Sequence, residues 1–98
     1  MEPDALLASL LELAAEHELS VRRIPAEAPF EGLAPAASGA CVVRGRRCVM
    51  LCPADPPQRQ IEVLARALLD HAGDLLEARF LPPAVRTCLE NARGRDGA

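Results

Sequence analysis

At 98 residues the chain is long enough for one hydrophobic core and too short for two independent domains. With 50% hydrophobic residues, 26% charged residues and a net charge of -3, it fits a globular unit and not a protein whose affinity rests on neutralising phosphates. Phe30 and Phe80 stand alone in a chain without Trp or Tyr, so the core must come from Leu, Val, Ile and Ala, and base stacking has little to build on.

By size scaling, a chain of this length buries roughly 65% of the surface its unfolded form exposes, so disulfides and structural metal are optional and no cofactor is expected. Every basic residue is Arg and none is Lys, which together with abundant Ala, Leu and Pro points to a GC-rich bacterial genome. The N-terminal stretch is apolar in a helical rhythm. It begins with Glu2 and Asp4, however, and has neither a positive leader nor a small-residue cleavage site, so it does not read as a signal peptide. No run approaches the roughly 18 apolar residues of a membrane span. The expectation is a soluble cytoplasmic protein whose four cysteines are reduced.

Leu6, Leu7, Leu10, Leu11, Leu13 and Ala14 recur at helical spacing behind Pro3, and the two leading acids suit the positive end of a helix dipole; a helix is expected over residues 3–18. Residues 20–25 read as a short edge strand stopped by Pro25, and residues 26–39, rich in Pro, Ala and Gly, as a surface loop anchored by Phe30 and Leu33. Ala40-Cys41-Val42-Val43 and Cys48-Val49-Met50-Leu51-Cys52, joined by Arg44-Gly45-Arg46-Arg47, predict a hairpin. Asp55, Pro56 and Gln58 set out the logic of a capped helix start. Ile61, Leu64, Ala65, Leu68 and Ala72 form its buried stripe, and Gly73 is the expected stop. Residues 77–81 read as a short strand, with continuation of Leu75 to Phe80 as a helical turn the alternative, and Pro82-Pro83 opens a last helix with Val85, Cys88, Leu89 and Ala92 on one face and Gly94 at its end. The expected fold class is α/β of the α+β kind, a small antiparallel sheet built around the hairpin and packed by about three helices. It forms one domain over residues 1–93, with a disordered tail at 94–98.

Strand alternation puts Cys41, Val43, Cys48, Met50 and Cys52 on one hairpin face and Val42, Val49 and Leu51 on the other. Both faces are apolar and both need cover, by helices on one and by either the long loop or a second subunit on the other, which makes Val49 and Leu51 candidates for contact with a partner. Arg44, Arg46 and Arg47 crowd the hairpin tip, where Arg22 and Arg23 join them if the first strand pairs alongside; an anion or an acidic partner would suit the cluster, and a solvated tip is the plainer alternative. Cys41, Cys48 and Cys52 are thiol candidates. Cys48 and Cys52 stand about 13 Å apart along one strand, too far to share a zinc or a disulfide. A turn on Gly45-Arg46, the preferred reading, pairs Cys41 with Met50 and leaves it roughly 7 Å from Cys48; a turn on Arg44-Gly45 instead sets Cys41 opposite Cys48. Cys88 reads as structural, as do His17 and His71 near the C-terminal ends of their helices. HExxH, GxSxG, P-loop and GxGxxG motifs are all missing, as is any Cys with an adjacent His.

The run from Ser38 through Arg47, the capped helix and Pro83-Ala84-Val85-Arg86 together resemble a group of short bacterial proteins of unassigned function. These share a leading helix, a Gly-Gly-led hairpin with an Arg-Gly turn, a helix and a Pro-x-x-Arg segment. This chain has Ser38-Gly39 where that group has two glycines. The order of helix, short strands and helix is also similar to the start of ImmA/IrrE-type zinc peptidases. The helix from Ile61 to His71 lacks their HExxH, so that resemblance implies architecture without peptidase activity. The function expected is a non-enzymatic protein-interaction or scaffolding module, with a protein partner or a homodimer, no membrane and no nucleic acid. The alternative is a thiol redox or metal-binding protein built on the hairpin cysteines.

Overall fold

The computed structural model describes residues 2–23, 39–53 and 55–96. Among them the chain forms α1 (Pro3–Glu16), β1 (Ser20–Arg23), β2 (Gly39–Val43), β3 (Arg46–Leu51), α2 (Pro57–Ala78) and α3 (Pro83–Asp96), a small α+β fold. The expected loop over residues 26–39, with its anchors Phe30 and Leu33, lies outside the described residues except for Gly39.

Helix α1 opens on Pro3 and Asp4 and buries Leu7, Leu10, Leu13 and Ala14 along one face. It ends before residue 18 because the backbone turns left-handed there. Glu18 sits at φ 58, its N–H donates to the Ala15 carbonyl at 3.3 Å, and the Leu19 N–H donates to the Ala14 carbonyl at 2.8 Å. This is the Schellman arrangement, with Glu18 where glycine is usual, and it drops Leu19 into the core just before β1.

The sheet has the order β1-β3-β2. The hairpin of β2 and β3 is antiparallel, but β1 pairs with β3 in parallel, so the sheet is mixed and not the antiparallel one expected. The long connection between Arg23 and Gly39 permits this, since parallel neighbours need about a dozen linking residues and β3 enters between the two earlier strands. The hairpin turns on Arg44-Gly45, not on Gly45-Arg46: both residues have positive φ, 53 and 78, which makes a type I′ turn. Cys41 therefore stands opposite Cys48, and Gly39 takes the place beside Met50.

Val49 and Leu51 project into the core with Leu10, Ile61, Leu64, Leu68, Leu76 and Val85, the largest fully buried side chains. Each contributes roughly 1.5 to 3 kcal/mol by burial. Helix α2 starts at Pro57 behind Pro56 with no side-chain cap. The Asp55 carbonyl accepts from Gln60 Nε2 at 3.0 Å. The break expected at Gly73 is a kink at Ala72 (φ -148, ψ 33), where two helical segments meet, and the second segment carries α2 on to Ala78. The stripe that ends at Ala72 in the sequence reading has one more member four residues on, Leu76, and burying it keeps the chain helical where a strand over residues 77–81 is expected. Helix α3 likewise passes Gly94 and continues to Asp96, so the expected tail is helical at least that far.

Polar contacts tie the far end of the molecule together. The His17 carbonyl accepts from His71 Nε2 at 2.9 Å, Arg79 reaches Glu16 at 2.7 Å, Arg86 donates to the Arg79 carbonyl at 2.6 Å, and Arg93 pairs with Glu77. His71 thus holds the end of α1 against α2, and His17 supplies the carbonyl.

Candidate functional site: a groove beside the β2 edge

The residues proposed from sequence disperse in the fold. Val49 and Leu51 are both 0% exposed and belong to the chain's own core, so the face expected to meet a partner is already covered by helices. Arg44, Arg46 and Arg47 are exposed at the hairpin tip as expected. Arg22 and Arg23 stand beside Met50 and Leu51, at the other end of β3 and about 13 Å from Arg46 at the usual strand rise, so they do not join the tip. The parallel direction of β1 decides this.

Cys48 is buried, whereas Cys52 falls just beyond β3 and Cys88 is half-buried on α3. Opposite residues of a hydrogen-bonded antiparallel pair have Cα atoms about 5.5 Å apart, which puts the Cys41 and Cys48 backbones within the span a disulfide can bridge. Among the described residues no group of three or more His, Cys, Asp or Glu side chains is placed to hold a metal ion.

The feature that sequence reading missed is a groove of about 480 Å³ bounded by α2, α3 and the start of β2 at Gly39 and Ala40. Val63 and Ala67 of α2 contribute apolar floor, and Ala84 and Cys88 of α3 form a wall of small side chains. Along the α2 side run Arg59, Glu62, Arg66 and Asp70, spaced so that they share one helix face. Arg59 lies 3.8 Å from Glu62 and Arg66 3.4 Å from Asp70, and all four side chains are about a third to a half exposed. Exposed pairs of this kind contribute about 0 to 1 kcal/mol, so their partners exchange easily. The legible signal was this alternation of charge, hidden because the deeper stripe of Ile61, Leu64 and Leu68 dominates the helix pattern.

The groove borders β2, which is an edge strand among the described residues. In a two-residue hairpin the closing pair Val43 and Arg46 is hydrogen-bonded, so Ala40 and Val42 direct their backbone N–H and C=O groups away from β3. Val42 is 68% exposed. The opposite edge, β1, is blunted by Arg22 and Arg23, whereas Gly39–Val43 carries no charge and no proline.

Comparison with family models, curated proteins and solved structures finds no match to this chain. No helix among the described residues is long and apolar enough to cross a membrane.

Proposed function

We propose that the protein is a non-enzymatic interaction module of the bacterial cytoplasm, and that its working surface is the groove between α2 and α3 together with the β2 edge. The observation that carries this reading is the adjacency of the two: an apolar-floored groove of about 480 Å³ opens beside a strand whose outward backbone groups face away from the sheet. A polypeptide can add a strand to such an edge, gaining main-chain hydrogen bonds, while neighbouring apolar side chains enter the groove. The chemistry of the lining supports binding over catalysis. No histidine lies among the described residues of the groove, and Glu62 and Asp70 each stand in an ion pair within α2.

The test is site-specific photo-crosslinking in the host cytoplasm from positions 42 and 91, with position 12 on exposed α1 surface as control. The reading expects one and the same polypeptide, identified by mass spectrometry, at both groove positions and not at the control. Adducts scattered over many proteins, or none, overturn it.

The register of the hairpin favours a second reading, a thiol pair formed by Cys41 and Cys48. Oxidation by a small disulfide such as oxidised glutathione would join the two sulfurs and leave two molecules of reduced glutathione. A loss of two hydrogens within one chain, located to these residues by peptide mapping, supports it; two free thiols after exposure refute it.

A further inference from the structure

We infer that the occupant of this surface is a second copy of the same chain, joined through antiparallel pairing of β2 with β2 about a two-fold axis at Cys41. The inference rests on the interaction reading above and names its partner. Two patterns on one side of the molecule are each self-complementary under a two-fold operation.

The first is the strand edge. With Ala40 and Val42 facing outward, an axis at Cys41 sets Ala40 of each copy opposite Val42 of the other, so every outward group of both residues is paired. An axis at Ala40 or Val42 pairs only one of them with itself inside the strand. The Cys41 register also keeps like charges apart. Arg44 lies three residues from the axis, so the two copies of Arg44 are about 20 Å apart, beyond the roughly 8 to 10 Å over which surface charges interact in salt.

The second is the helix above. Joining two sheets edge to edge about an axis normal to the sheet brings their helices side by side on the same face. Strand β3 lies one and a half strand spacings from the axis, about 7 Å, and α2 packs on β3 and β2. The two α2 helices then run antiparallel at about 14 Å or less, a gap that long side chains span. Along that face the order is Arg59, Glu62, Arg66, Asp70, positive and negative by turns. Reversed against itself between Leu64 and Ala65, the series sets Arg59 opposite Asp70 and brings Glu62 within one residue of Arg66 of the second copy. A charge order that survives its own reversal with every sign opposed is what an isologous two-fold contact requires.

The test is sedimentation velocity of the full chain over a concentration series with reductant present. The expected result is a dimer at micromolar concentration. Val42→Lys, at a 68% exposed position that faces Arg47 at a site not hydrogen-bonded to β3, should weaken it by about tenfold or more. Arg66→Glu should do the same by setting Glu62 against the new acid twice, and Arg66→Glu with Glu62→Arg should restore the dimer. Each variant is checked for unchanged far-UV circular dichroism. In a chain keeping Cys41 but with Cys48→Ala, Cys52→Ser and Cys88→Ala, diamide should link Cys41 to Cys41, because facing residues at a non-hydrogen-bonded site have Cα atoms about 4.5 Å apart. A chain that stays monomeric, or a dimer indifferent to both Val42→Lys and Arg66→Glu, overturns the inference. Crosslinks from positions 42 and 91 to one foreign polypeptide overturn the second copy and leave the groove reading standing, and the absence of any adduct overturns both.

Discussion

Leu75 and Leu76 adjoin in sequence and differ completely in burial, 63% and 1% exposed. A helix that stopped at Gly73 would leave both in a connection near the surface. The continued α2 instead seats Leu76 in the cluster with Leu64, Leu68, Val85 and Leu89. Truncating Leu76→Ala removes that burial and leaves a cavity walled by both α2 and α3, so it should cost about 2 to 4 kcal/mol. Leu75→Ala, on the outer side, should cost at most about 0.5 kcal/mol. Domains of this size hold roughly 5 to 15 kcal/mol in total, so the first change removes a large share of stability and the second almost none. The assay is urea unfolding followed by circular dichroism, with wild type and both variants at equal slope. The midpoint should fall by roughly 1 to 3 M for Leu76→Ala and stay within error for Leu75→Ala. Equal losses, or a larger loss at Leu75, would refute the helical register beyond Ala72 and with it the packing of α2 on α3.

The other expectations concern backbone conformation and thiol access. Glu18→Gly relieves a left-handed L-residue at φ 58; against a cost of about 1 to 2 kcal/mol for that conformation, glycine's greater unfolded entropy takes back about 0.5 to 1, so thermal unfolding should shift upward by a few degrees. Arg44→Asn in the type I′ turn, at φ 53, should stabilise the hairpin in the same way, and a lower midpoint would contradict the turn assignment. Cys48, 5% exposed, should react with a thiol reagent in the native state far more slowly than half-buried Cys52, and equal native rates would contradict its burial.

What the sequence revealed follows the strength of local signals. The apolar rhythm of Leu7, Leu10 and Ala14, the stripe of Ile61, Leu64 and Leu68, and the paired β runs around Arg44-Gly45 each fix an element through its own periodicity, and each is in place. The failures occur where a distant partner decides. Gly73 reads as a stop until Leu76 finds a buried site. The parallel direction of β1 depends on which strand enters beside it, which no pattern in Ser20–Arg23 encodes. One residue of turn position separates Cys41 opposite Met50 from Cys41 opposite Cys48, and alternation of the faces is identical in both cases.

The search for a partner surface went astray for a related reason. A hairpin apolar on both faces implies two covers, helices on one and the long loop or a second subunit on the other; the face with Val49 and Leu51 is the one that packs into the core with the helices. What a sheet of three strands cannot cover with its own helices is its edges, since backbone groups there need a strand or solvent. The two edges differ: β1 places two arginines in four residues, while β2 places none in five. That contrast is legible only once the strand order is known. The charge series on α2 forms local pairs, Arg59 with Glu62 and Arg66 with Asp70, and gains a second meaning only from its place beside the β2 edge.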